Sequence, residues 1–171
     1  MPTAAIADES LARLLAPAQP IPQRRATDRT ARWIEFELDK QHYGVEVASV
    51  MEVLEPEMIC PVPGAKPQVQ GVINLRGQIV TVVDLRAQLG APAGPPSGRG
   101  RILVLDAKPH PLGVVVDAVA EVVEIPGSAI ERAPKVNDQM ASAAVVSLAR
   151  VGSKTLLLID ARRLVDACVQ A

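Results

Sequence analysis

Apolar and polar residues alternate through Trp33-Ile34-Glu35-Phe36-Glu37-Leu38, the pattern of a strand with one buried face. The polar stretch Asp39-Lys40-Gln41-His42 then predicts a turn, and Tyr43 to Val47 a second strand. Val50 to Leu54 is apolar except for Glu52. Pro56, Pro61, Pro63, Gly64 and Pro67 punctuate a loop-rich stretch. Gly71-Val72-Ile73-Asn74-Leu75-Arg76-Gly77 predicts a strand ending in a tight turn. Ile79 to Val83 is nearly continuous apolar sequence, expected to be buried on both faces. Leu85 to Leu89 suits one helical turn. Strands are expected again at 102–105, 112–116, 119–125, 144–148 and 155–159, and a terminal helix over 160–168. Between the two groups, Ala91-Pro92-Ala93-Gly94-Pro95-Pro96-Ser97-Gly98 has the composition of a linker.

The two sides of that linker repeat one another. Tyr43-Gly44-Val45 and the following Val50-Met51-Glu52-Val53 align with Leu112-Gly113-Val114 and Val119-Ala120-Glu121-Val122. The shift is 113 − 44 = 69, and 121 − 52 = 69 again. Ile79 to Arg86 aligns with Thr155 to Arg162 at a shift of 160 − 84 = 76, which places an insertion near 133–143. Asn74-Leu75-Arg76-Gly77 aligns loosely with Ser147-Leu148-Ala149-Arg150. Each half would supply about five short strands, enough for a small barrel. The expected fold is therefore all-β: two five-stranded barrels packed together, with a short C-terminal helix. Residues 1–31 stand apart as an N-terminal arm, with Leu11, Leu14 and Leu15 on one face of a short helical segment that Pro17, Pro20 and Pro22 end.

Composition narrows the function. The net charge is -1, and the three aromatics, Trp33, Phe36 and Tyr43, fall in one predicted strand pair. A nucleic-acid-binding barrel would need a basic stripe with interleaved aromatics, and the ordered region lacks one. Cys60 and Cys168 are far apart and in no metal-binding pattern, so they read as unpaired thiols. No apolar run reaches membrane-spanning length and no secretory leader is visible, so the chain reads as cytoplasmic, without membrane insertion.

No catalytic constellation emerges, and no cofactor or metal is expected. His42 and His110 both fall in predicted turns as solvated residues. The phosphate-binding and hydrolase motifs are absent, and the prolines among Gly94, Gly98 and Gly100 remove the N–H donors a phosphate cradle needs. Asp84 and Asp160 each close a strand before a helical turn, where an aspartate caps backbone N–H groups. Two charges stand out: Glu52, which interrupts an apolar run, and Arg76, in a glycine-bounded turn.

The stretch from Gly71 to Arg86, GVINLRGQIVTVVDLR, resembles the hallmark of the CheW family of bacterial chemotaxis coupling proteins. Tyr43-Gly44-Val45, Val50-Met51-Glu52-Val53 and Leu112 to Asp117 fit as well, and the likeness spans residues 32–168. It implies tandem SH3-like barrels, with subdomain one at about 33–90, the linker at 91–98 and subdomain two at about 99–168. It also implies a non-enzymatic adaptor joining the cytoplasmic tips of chemoreceptors to the regulatory domain of a CheA-type histidine kinase. Ring assembly with other CheW-like proteins in receptor arrays at the inner membrane follows from the same likeness. Val50, Glu52, Val53 and Arg76 match the family's contact positions, and Gly71 and Val72 border the same surface by sequence. Thr81 stands where the family usually has proline, and related adaptors serve pilus-motility and surface-sensing pathways.

Overall fold

The computed structural model describes residues 29–89, 99–133 and 144–170. Residues 1–28 of the predicted arm, the linker 91–98 and most of the predicted insertion lie outside them, while Thr30 and Ala31, expected to end the arm, pair with Pro126 and Ile125 and so open the first strand instead. Strand β1 (Thr30–Leu38) turns into β2 (Gln41–Glu46) through Asp39 and Lys40. Both turn residues have positive φ, 48° and 64°, as a two-residue type I′ hairpin requires. His42 therefore belongs to a strand rather than to the predicted turn. β3 (Val50–Leu54) follows, then β4 (Val69–Leu75), β5 (Gln78–Asp84) and the short helix α1 (Leu85–Leu89). β6 (Arg101–Leu105), β7 (Leu112–Val116), β8 (Ala118–Pro126), β9 (Ile130–Arg132), β10 (Val145–Val151), β11 (Lys154–Ile159) and α2 (Ala161–Gln170) complete the chain. β9 has no counterpart among the predicted strands, because three residues with one apolar side chain carry too little pattern.

The chain forms two barrels, but neither is built from one half of the repeat. The first barrel has the strand order β3-β6-β7-β5-β4 and the second β8-β1-β2-β11-β10-β9. Each takes its opening hairpin from one half and its later strands from the other. The exchange is made by two parallel pairings, β5 with β7 and β11 with β2. A repeat in sequence cannot reveal such an exchange, because swapping equivalent strands leaves every local pattern unchanged. The first barrel is thus contiguous (50–116) and sits between the two parts of the second (30–46 and 118–159). The 91–98 stretch joins α1 to β6 within the first barrel and does not connect one barrel to the other.

The repeat itself holds to the level of register. Ile34 pairs Val45 and Phe36 pairs Tyr43, while at a shift of 69 Leu103 pairs Val114 and Leu105 pairs Leu112. Gly44 pairs Leu158 and Gly113 pairs Val82 in the two parallel ladders. Both glycines make room for the side chains that fill their own barrel. A Cβ on Gly44 would lie 2.9 Å from Leu158, and one on Gly113 would lie 3.0 Å from Val82.

Three apolar clusters result. Ile73, Val80, Val82, Ile102 and Val104 fill the first barrel, and Ile125, Ala149, Leu156 and Leu158 the second. The largest lies between them and includes Phe36, Leu38, Leu85, Leu103, Leu105, Val114, Ile159 and Leu164. The outward faces of β6 and β7 supply this third cluster, which is why those strands read as unbroken apolar runs. β5 differs from expectation. Val80, Val82 and Val83 are buried, but Ile79 is 63% exposed and Thr81 is exposed, because the other barrel covers only the far end of this strand. Asp84 and Asp160 cap as predicted: Arg86 N donates to Asp84 Oδ1 at 2.9 Å and Arg163 N to Asp160 Oδ1 at 3.0 Å.

The first barrel is closed by backbone. Cys60 and Val72 exchange two hydrogen bonds, of 2.8 and 2.9 Å, bringing the segment after β3 against β4. β9 makes the equivalent closure in the second barrel, with Glu131 opposite Leu148. Gly71 permits the approach: its φ is 150°, and a Cβ there would lie 2.3 Å from the Cys60 carbonyl oxygen. Gly71→Ala is expected to cost roughly 2–4 kcal/mol, by overpacking and backbone strain together. Urea unfolding checks this, with Gly77→Ala, where nothing lies within 4 Å, as the comparison that isolates the positive-φ cost.

Candidate partner-binding face of the first barrel

The β4–β5 hairpin turns through Arg76 and Gly77, whose φ values are 51° and 85°. This is again the type I′ geometry, and Asn74 Oδ1 holds it by accepting from Gly77 N at 2.9 Å. A left-handed backbone costs an arginine energy that a glycine would not spend. The equivalent turn of the second barrel places Gly152 there (152 − 76 = 76), with φ 61°. The structural partner of Asn74-Leu75-Arg76-Gly77 is accordingly Arg150-Val151-Gly152-Ser153. The alignment with Ser147 to Arg150 is corrected by hairpin register: Leu75 pairs Gln78 as Val151 pairs Lys154.

From this turn the Arg76 guanidinium reaches Glu52 Oε2 at 3.4 Å. Glu52 lies opposite Val104 on β6, on the face of β3 that turns toward the barrel interior with Leu54. Its carboxylate sits at the barrel mouth, 31% exposed, while Arg76 is 80% exposed. β3 and β4 are the two edges of the sheet, so the ion pair spans the seam that Cys60 closes below it. The two charges singled out in the sequence are brought together.

The other four expected contact residues divide. Val53 is exposed on β3, while Val50 is half-buried against the inter-barrel cluster. Gly71 is buried and Val72 half-buried, and both serve the closure. Sequence reading overlooked Met51, Met58, Val62 and Ile79, all exposed. With Val53 they are five of the seven large exposed hydrophobics among the described residues, and the five concentrate in the first barrel. The signal was available in β3 and β5, where a strict alternation count assigns Met51 and Ile79 to the solvent side.

The second barrel handles charge differently. Its counterpart of Glu52 is the exposed Glu121, and its counterpart of Arg76 is Gly152, which carries no side chain. Its ionic cluster is turned inward instead: Glu35 is buried and accepts from Lys154 Nζ at 3.1 Å, with His42 Nδ1 3.0 Å away. His42 is thus a half-buried strand residue beside a buried carboxylate, because its β2 position points into the barrel; His110 is exposed in a bend, as expected. Among the described residues no group of three or more His, Cys, Asp or Glu could hold a metal, and no helix is long and apolar enough to cross a membrane. Both cysteines are free thiols. Cys60 is exposed, and burial pushes the Cys168 thiol up to about 11.

Comparison with known proteins agrees with this architecture. The family model described as CheW-like domain matches residues 32–168. The chain is 28% identical over 135 residues to the chemotaxis protein CheW of Bacillus subtilis, covering 79% of this chain and 86% of that one. It is 28% identical over 99 residues to protein PilI of Pseudomonas aeruginosa, covering 58% and 56%. The crystal structure of the scaffolding protein TtCheW from Thermoanaerobacter tengcongensis superposes with a TM-score of 0.73 at 30% identity, covering 80% of this chain and 92% of that one.

An exposed ion pair is worth little to folding, so a double-mutant cycle on Glu52 and Arg76 is expected to give a coupling of about 1 kcal/mol or less in thermal melts. The thiols should separate kinetically. At pH 8 Cys168 remains almost wholly protonated, since its pKa is raised to about 11, and only the thiolate attacks. A disulfide-exchange reagent should modify Cys60 first and Cys168 far more slowly, and Cys60→Ser should remove the fast phase.

Proposed function

The chain belongs to the CheW-like domain family of scaffold and coupling proteins, and from that membership we propose that it joins chemoreceptors to a CheA-type histidine kinase. The observation that carries this reading is the Glu52–Arg76 pair at the mouth of the first barrel, in the barrel that also holds Val53 and most of the exposed large apolar side chains among the described residues. Arg76 is held there in a left-handed backbone conformation, at the position where the second barrel has Gly152. The exposed apolar residues supply area, and the ion pair supplies direction and charge complementarity. Val50, Glu52, Val53 and Arg76 are the contact residues of this reading, extended by Met51 and Ile79. Gly71 and Val72 act by closing the barrel beneath them.

The adaptor works by binding two partners, without turnover. It would act in the cytoplasm, at the receptor tips and the kinase regulatory domain, within rings shared with similar barrels. A second reading, an adaptor of a pilus-motility or surface-sensing pathway, is favoured by the likeness to PilI. Thr81 bears on the choice, since it is exposed on the outer face of β5 near Ile79.

Charge reversal separates binding from folding. Glu52→Lys or Arg76→Glu is expected to weaken binding to a receptor tip fragment or to the kinase regulatory domain by roughly tenfold or more, as loss of a central charged contact does. The melting temperature should stay nearly unchanged. Calorimetric titration with both partners checks this, and unchanged affinity for both in both variants would sink the assignment.

A further inference from the structure

The two barrels are connected by two short crossovers: the first is held by a backbone hydrogen bond, Asp106 N donating to the Ser49 carbonyl at 2.8 Å, and the second by a side-chain ion pair as well. The first is the 3-10 turn Val47–Ser49 between β2 and β3. The second is the single residue Asp117 between β7 and β8. Asp117 is bound on three sides. Its N–H donates to the Glu37 carbonyl of β1 at 3.0 Å. Its Oδ2 accepts from the Asp39 N–H in the β1–β2 turn at 2.8 Å. Its Oδ1 pairs with the Arg86 guanidinium of α1. The first two partners belong to the second barrel and the third to the first. Arg86 is buried, and its own N–H is held by Asp84 Oδ1.

The repeat supplies an internal control. The position equivalent to Asp117 is Ala48 (117 − 69 = 48), and the position equivalent to Arg86 is Arg162 (86 + 76 = 162). Both are exposed, and Ala48 has no side chain that could pair. The arrangement at Asp117 is therefore not something that strand exchange requires.

We propose that Arg86 and Asp117 form an inter-barrel clasp that fixes the angle at which the two barrels are held. The apolar cluster between the barrels supplies adhesion, but hydrophobic contact is non-directional and tolerates rotation of one sheet over another. A largely buried ion pair whose carboxylate also accepts from the Asp39 N–H selects one arrangement, which is the best-attested use of such pairs. Without the clasp the barrels remain attached through both crossovers and the apolar cluster, and they sample more than one angle about them. The inference rests on this geometry and not on the identity of any partner.

The test is a distance distribution between spin labels on Cys60 in the first barrel and on a Ser153→Cys site in the second. The full chain is used, with Cys168→Ala to keep labelling specific. A single narrow peak is expected with the clasp intact. Asp117→Asn and, separately, Arg86→Met should broaden that peak roughly twofold or split it, as a population spread over several angles would. Circular dichroism should show the strand content unchanged. An unchanged narrow peak in folded variants would mean that the apolar cluster alone sets the angle, and the clasp would be refuted. Hydrogen exchange in the unaltered protein covers the case of variants that do not fold. The Asp39 and Asp117 amides should then exchange as slowly as the β6–β7 interior, and rapid exchange at both would refute the clasp equally.

Discussion

Two parallel strand pairings, β5 with β7 and β11 with β2, govern the rest of the molecule. Each joins strands from different halves of the chain, so each barrel is complete only when both halves are present. The pairings place Gly44 and Gly113 at equivalent points, where the absent side chain leaves room for Leu158 and Val82. They also turn the outer faces of β6 and β7 toward the other barrel. The largest apolar cluster is consequently the one between the barrels, and separating them would expose Leu103, Leu105, Val114 and Phe36 together. The two barrels are parts of one folding unit.

Symmetry at the level of backbone coexists with asymmetry in charge. Where the first barrel has Val104, the second has the buried Glu35 (104 − 69 = 35), compensated by Lys154, with His42 beside it. Where the first barrel has Arg76 reaching outward to Glu52, the second has Gly152 and an unmatched Glu121. The Glu35 pair serves the interior of the second barrel, and the Glu52 pair stands at the surface of the first. The two barrels therefore present different chemistry despite equivalent registers, and among the described residues the first holds five of the seven large exposed hydrophobics together with the exposed ion pair.

Much of this was legible in the sequence. The alternation in β1, the shift of 69 between Gly44 and Gly113, and the capping roles of Asp84 and Asp160 all follow from local pattern, and local pattern is what the structure keeps. Glu52 and Arg76 stood out because each breaks an apolar or glycine context, although nothing in their spacing announces that they meet. Three things were not legible. Exchange of strands between halves leaves no trace in a repeat. The exposure of Ile79 depends on how far the other barrel extends over β5, which is a tertiary quantity. The inward position of His42 was hidden because polar residues flanking a tight hairpin look alike whether they belong to the turn or to the strand beyond it.

The insertion of one barrel within the other also orders events during synthesis. The first barrel has all its strands once residue 116 has emerged, whereas the hairpin of β1 and β2, made first, must wait for residues 118–159 before its own barrel can close. At about 5–20 residues per second that interval lasts a few seconds. Throughout it the face of the hairpin that carries Trp33 and Glu35 lacks the strands that will cover it. The nascent chain thus passes through a stage with one finished barrel and one orphaned hairpin, and the last strand to leave the ribosome, β11, is the one that pairs with β2 and ends it.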